Sequence, residues 1–114
     1  MTPVGIVLDE RYRRHQTGPG HPERPARLEA VETGLTEAGL LASCPRIEPR
    51  PVDPALVERV HAREYLQRLK RACQENRPFI DTPDSGICPE SYEIAELAAG
   101  GVVEATRRVG AGEI

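Results

Sequence analysis

The chain has 114 residues, 39% hydrophobic and only 4% aromatic, with no tryptophan and one phenylalanine; it makes one domain at most, with a core of Leu, Val, Ile and Ala. Fifteen basic against eighteen acidic residues leave a net charge of -3. That balance offers no bulk attraction to nucleic acid or to an anionic membrane, and it implies no partner chosen by charge alone.

Residues 4–8, bounded by Pro3 and Asp9, are a continuous apolar run that predicts a buried first strand of a parallel sheet covered on both faces. Residues 9–22 form a loop. Residues 23 to about 38 predict a helix with Leu28, Val31, Leu35 and Ala38 on one face, Pro25 tolerated in the first turn and Gly39 as the stop. Pro49 and Pro51 forbid helix over 46–52 and leave a sheet-edge strand as the ordered option. Asp53 then caps a helix opening at Pro54, whose apolar positions Leu56, Val57 and Val60 lead to His61. Tyr65, Leu66, Leu69 and Cys73 continue at helical spacing until Asn76 and Pro78, as one helix or as two hinged at His61.

Residues 77–90 hold three prolines, one glycine and two aspartates, the composition of an ordered surface loop. Residues 90–109 predict the last helix, with Ile94, Leu97, Ala98, Val102 and Ala105 facing inward and Gly100-Gly101 letting another element approach closely. The helix ends at Gly110 to Gly112, and Ile114 stands where a short loop should lead into a further strand. One internal and one edge strand with three or four helices is an incomplete α/β unit, because a parallel sheet needs further crossovers. The pattern predicts the opening third of a larger domain, or a protein that borrows partner strands from another chain. Cys44, Cys73 and Cys88 are odd in number and contain no C-x-x-C pair, which argues for reduced thiols in a cytoplasmic protein. No basic region followed by a long apolar run opens the chain, so neither secretion nor membrane insertion is expected.

The richest stretch is residues 15–28, His-Gln-Thr-Gly-Pro-Gly-His-Pro-Glu-Arg-Pro-Ala-Arg-Leu. Gly18 and Gly20 permit backbone angles closed to other residues, while Pro19, Pro22 and Pro25 each fix φ, so the segment can hold one irregular shape. On local grounds His21 could simply bond a backbone carbonyl and hold its loop, Arg27 could be a solvated charge, and Asp84 before Ser85-Gly86 could be an ordinary turn former. Glu23 suits the helix N-terminus, and the cluster Arg11, Arg13, Arg14 has no interleaved aromatics to stack on bases. His61 is structural on any reading.

The 15–28 stretch closely resembles the N-terminal signature of the zinc-dependent deacetylase family, which includes histone deacetylases, acetoin-utilisation proteins and acetylpolyamine amidohydrolases. Val60-His61 with Glu64-Tyr65-Leu66, and the alanine-rich helix from Ser91-Tyr92 to Gly100-Gly101, fit the same family more loosely. The resemblance implies an α/β fold, the N-terminal portion of an arginase-like domain over residues 1–114, with a parallel sheet flanked by helices. It further implies hydrolysis of acetyl amides, on lysine in a protein or on a smaller amine, by zinc-bound water. His21 and Pro22 would line the mouth of the acyl-lysine tunnel, and Asp84 would accept hydrogen bonds from the substrate backbone. Arg27 would serve an internal channel for the departing acetate. The family's zinc ligands, its His pair and its carbonyl-polarising Tyr fall beyond the matched portion, so no catalytic or metal residue is assigned and this chain alone is expected to be inactive. Two other readings stay open, half of a split enzyme completed by a second polypeptide, and a non-catalytic module that binds acetylated amines; the exposed sheet edge separately predicts self-association or poor solubility. His15, His21, Cys44 and Cys88 could also meet on a structural zinc, though their spacing fits no usual closed site.

Overall fold

In the computed structural model residues 3–114 are described; Met1 and Thr2, at the start of the expected 1–114 unit, lie outside them. Residues 4–8 are extended, and Ile6 forms an isolated parallel bridge with Arg46. The Ile6 N–H donates to the Pro45 carbonyl at 3.0 Å and the Ile47 N–H to the Ile6 carbonyl at 2.9 Å. The expected sheet is corrected to this one bridge, since no longer strand forms among the described residues. Chain chemistry explains the stop. In a parallel ladder of this register the next bonds would run from the Leu8 N–H to the Ile47 carbonyl and from the N–H of residue 49 to the Leu8 carbonyl, and Pro49 has no N–H for the second. The Leu8 carbonyl takes a bond from the Arg46 side chain instead, at 2.6 Å.

A 3-10 helix, Glu10–Arg14, interrupts the expected loop. Asp9 opens it, accepting from the Arg11 N–H at 2.9 Å and holding the Arg11 guanidinium by both carboxylate oxygens; that fork lowers the Asp9 pKa. Helix α1, Pro25–Glu37, starts on the proline and stops before Gly39, whose φ of 72° is left-handed. A short α2, Leu40–Ser43, follows directly. Helix α3, Pro54–Val57, is capped by the Asp53 side chain, and α4, Arg63–Gln74, begins after Ala62 leaves helical geometry. The segment is thus two helices broken at 58–62, and His61 is exposed and stacked on Tyr65. Helix α5 is Ser91–Gly110.

The Cα positions extend over 46 × 33 × 17 Å. On Cα positions the thin dimension holds about two packed layers, so most helices are covered on one side only. Buried apolar side chains are few: Ile47, Val52, Ala72, Cys73, Ile80 and Leu97. Helix α1 contributes none, and its expected core face is corrected accordingly: Leu28 and Leu35 are half-buried, Val31 and Ala38 exposed.

The tightest packing is where the extended segment 49–52 crosses α5. A Cβ at Gly100 would stand 1.5 Å from the Arg50 carbonyl oxygen, and one at Gly101 would stand 2.8 Å from Val7 Cγ1. The Val52 N–H donates to the Glu96 carbonyl across the same contact, at 3.0 Å. Gly100 therefore admits a neighbouring backbone and Gly101 the side chains beside it, a close approach as the sequence suggests. It also fixes which face of α5 is inside. Leu97, Gly100 and Gly101 are buried with Ile94 and Ala105 half-buried, whereas Ala98 and Val102 point outward, contrary to expectation.

Candidate functional site

Two loops carry the candidate residues, 15–24 ahead of α1 and 79–90 ahead of α5. The first is shaped by Gly18 and Gly20, at φ 96° and 75°, values that side-chain-bearing residues rarely adopt. The second is a small hairpin: Phe79 and Gly86 form an antiparallel bridge, the Ile80 N–H donates to the Ser85 carbonyl at 3.1 Å, and the Ile87 N–H to the Pro78 carbonyl at 3.1 Å. Buried Ile80 roots it in the core, and a forked pair between Arg68 and Asp81 ties it to α4. Asp84 stands at its tip.

The loops lie against each other and run antiparallel, joined by side chains rather than by a ladder. His15 Nδ1 meets Ser91 Oγ at 2.7 Å, the Gln16 N–H donates to Cys88 Sγ at 3.2 Å, and His21 Nε2 meets the Asp84 carbonyl at 2.7 Å. Between these bonds the Thr17 backbone packs on Gly86 so closely that a Cβ there would be 2.7 Å from the Thr17 carbonyl oxygen. Thr17 Oγ1 also donates to the Glu23 carbonyl, which folds the first loop on itself.

His21 spans the two loops with both ring nitrogens engaged. Nδ1 accepts from the Glu23 N–H at 3.0 Å, which leaves Nε2 as the protonated nitrogen that donates to the Asp84 carbonyl. The Asp84 side chain is separate from this bond. It accepts from Thr82 Oγ1 at 2.6 Å, and that bond holds the carboxyl below the usual carboxylate range. The tip thus presents an exposed, ionised carboxylate. Pro22 is exposed beside His21. Arg27 is exposed on the first turn of α1 and pairs with Glu23 at 2.7 Å; it adjoins the His21 loop through Glu23 without entering the His21–Asp84 contact.

Ser91 carries no site role from sequence and Cys88 only its place in the weighed zinc set, yet they close the other end of the loop pair. Cys88 Sγ donates to the Arg14 carbonyl at 3.2 Å, and the Cys88 N–H donates to Ser91 Oγ at 2.8 Å. Burial pushes the His15 pKa down, favouring the neutral ring. A serine at a helix start reads locally as a cap; its partner His15, 76 residues away, left no local signal. Cys44, Cys73 and Cys88 are free thiols. Among the described residues no three His, Cys, Asp or Glu side chains gather as a metal site, so the set His15, His21, Cys44 and Cys88 is not brought together. No helix among them is long and apolar enough to cross a membrane.

Residues 21–114 match the histone deacetylase domain family. A probable deacetylase of Archaeoglobus fulgidus is 35% identical over 108 residues, covering 93% of this chain and 30% of that protein. A histone deacetylase-like amidohydrolase of Pseudomonas aeruginosa is 37% identical over 97 residues, 82% of this chain and 24% of that protein. The crystal structure of the HDA15 HD domain superimposes with a TM-score of 0.87 at 28% identity, over 98% of this chain and 33% of that one. The chain therefore spans about a third or less of the length of these relatives.

Proposed function

The chain belongs to the histone deacetylase family, and we propose that it forms the substrate-entrance part of a deacetylase that hydrolyses acetyl amides, on lysine in a protein or on a smaller amine. The names of the two bacterial and archaeal relatives, an amidohydrolase and a probable deacetylase, support the reaction class. The observation that carries the reading is the His21–Asp84 bond, which joins the two loops that the resemblance assigns to the tunnel mouth. In this reading His21 and Pro22 form the wall and rim, with His21 acting through the shape it holds rather than through a free ring nitrogen. Asp84 accepts N–H donors of the incoming substrate, the stronger kind of hydrogen bond because the acceptor is charged. Arg27, steadied by Glu23, serves the channel that favours a departing acetate.

Zinc would supply the activated water of such a reaction. A zinc site needs three or four His, Cys or carboxylate ligands, and the donors among the described residues do not gather that way. They do not fit a zinc of their own, so the residues of this chain bind and orient, and no hydrolytic step is assigned to them. Free thiols suit a cytoplasmic setting, which is part of the proposal.

The test is deacetylation of an acetyl-lysine peptide by the protein at its natural length, with and without Asp84→Asn. Loss of one exposed charge-assisted bond should raise KM about tenfold, the low end of the range for charged hydrogen bonds. The thermal unfolding curve should not move, since the carboxylate is exposed. An unchanged KM would remove Asp84 from the site, and absence of deacetylation in the parent protein would refute the activity.

A further inference from the structure

Ser91 is the one buried polar side chain among the described residues, 6% exposed. Its oxygen accepts from the Cys88 N–H at 2.8 Å and stands 2.7 Å from His15 Nδ1 and 3.3 Å from Cys88 Sγ. A hydroxyl has one proton to give. That proton is shared between two neighbours, the neutral His15 ring at Nδ1 and the Cys88 sulfur, and the His15 tautomer decides which receives it; the Cys88 thiol is spent on the Arg14 carbonyl, and its sulfur also accepts the Gln16 N–H. Three bonds of this group, His15 to Ser91, Gln16 to Cys88 and Cys88 to Arg14, run between the chain around residues 14–16 and the chain at 88–91, and the Cys88–Ser91 bonds hold the second side together. The hydroxyl therefore serves the loop junction. It clamps one end of the loop pair whose other end is clamped by His21 and whose middle is the Thr17–Gly86 contact.

We infer that Ser91 and His15 are positioning residues for the entrance, setting the register in which the loop bearing Asp84 lies along the loop bearing His21. Two clamps and a close backbone contact, spaced along an antiparallel pair, leave the loops no freedom to slide. With the Ser91–His15 bond removed, only the weaker sulfur bonds of Cys88 hold that end, and the Asp84 carboxylate gains freedom relative to the Pro22 rim. The consequence for substrate rests on the proposed entrance; the register itself is read without any substrate.

The experiment is amide hydrogen exchange in the protein at its natural length, comparing the parent with Ser91→Ala and with His15→Ala. The second variant leaves Ser91 bonded to Cys88 and keeps the question answerable where the first folds poorly. Exchange should accelerate about tenfold at residues 15–24 and 84–91, above all at Gln16 and Glu23, and stay unchanged in α4. In the same proteins KM for an acetyl-lysine peptide should rise about tenfold with kcat within about twofold. Unchanged exchange in both loops would overturn the inference, as would uniform acceleration over the whole chain, the mark of general destabilisation. If the parent does not deacetylate, the functional reading fails, and the exchange pattern alone still decides whether these residues hold the register.

Discussion

Gly100→Ala tests the packing that places α5, and with it the loop ahead of it. The new methyl would stand 1.5 Å from the Arg50 carbonyl oxygen, 2.7 Å from its carbon and 2.9 Å from the Val52 nitrogen, where ordinary contact begins at 3.4 Å. All three atoms are backbone, so no side chain can swing aside. The segment 49–52 must lift by roughly 2 Å, and overpacking of this kind costs about 1–3 kcal/mol. Lifting also breaks the Val52 to Glu96 bond, worth about 1 kcal/mol, and uncovers part of buried Val52, worth about 1 kcal/mol more. The helix gains back about 1 kcal/mol from replacing glycine. The net expectation is a loss of about 3 kcal/mol in urea denaturation. Gly34→Ala supplies the contrast: it lies inside α1 with nothing within 4 Å of its Cβ position and should stabilise by up to about 1 kcal/mol. If Gly100→Ala proved as stable as the parent, the close crossing of 49–52 over α5 would be wrong.

Gly86→Ala should pry the loops apart at their middle, because its methyl would meet the Thr17 carbonyl oxygen at 2.7 Å. A loss of about 1–2 kcal/mol in urea denaturation is expected, and no loss would refute the close contact. The pH dependence follows from His15, whose folded-state pKa lies below its ordinary 6.5 because burial disfavours the charged ring. As pH falls below 6.5 the unfolded chain takes up the proton first, so stability is full above 6.5 and declines as pH drops towards the folded pKa. His15→Gln should flatten this part of the stability curve, and equal slopes in the two proteins would show that His15 is not the group responsible.

What could be read from sequence was the punctuation. Pro25 and Gly39 bracket α1 within two residues of expectation, Asp53-Pro54 opens α3, and Gly100-Gly101 marks a close approach. What failed depended on register or on partners far along the chain. The 46–52 run has the composition of an edge strand, but whether Pro49 falls on a needed donor is decided only by pairing with 4–8. The periodicity of α5 gives an apolar stripe without saying which side meets a backbone, so it points Val102 inward, and the residue stands 67% exposed instead. At the site, the motif around Gly20-His21-Pro22 marks one of the two loops that meet. Its contact with Asp84 runs through a carbonyl, which every residue possesses and which leaves no trace in sequence.

The bonds between the two loops also say something about time. His15 and Ser91 are 76 residues apart, and His21 and Asp84 are 63; the cost of closing loops so long must be met before such contacts give anything back. The intervening helices have to form and dock first. The loop pair is then the last part of this chain to assemble and, held by a handful of side-chain bonds, the first to open, so a nascent molecule acquires its helices well before it brings these two loops together.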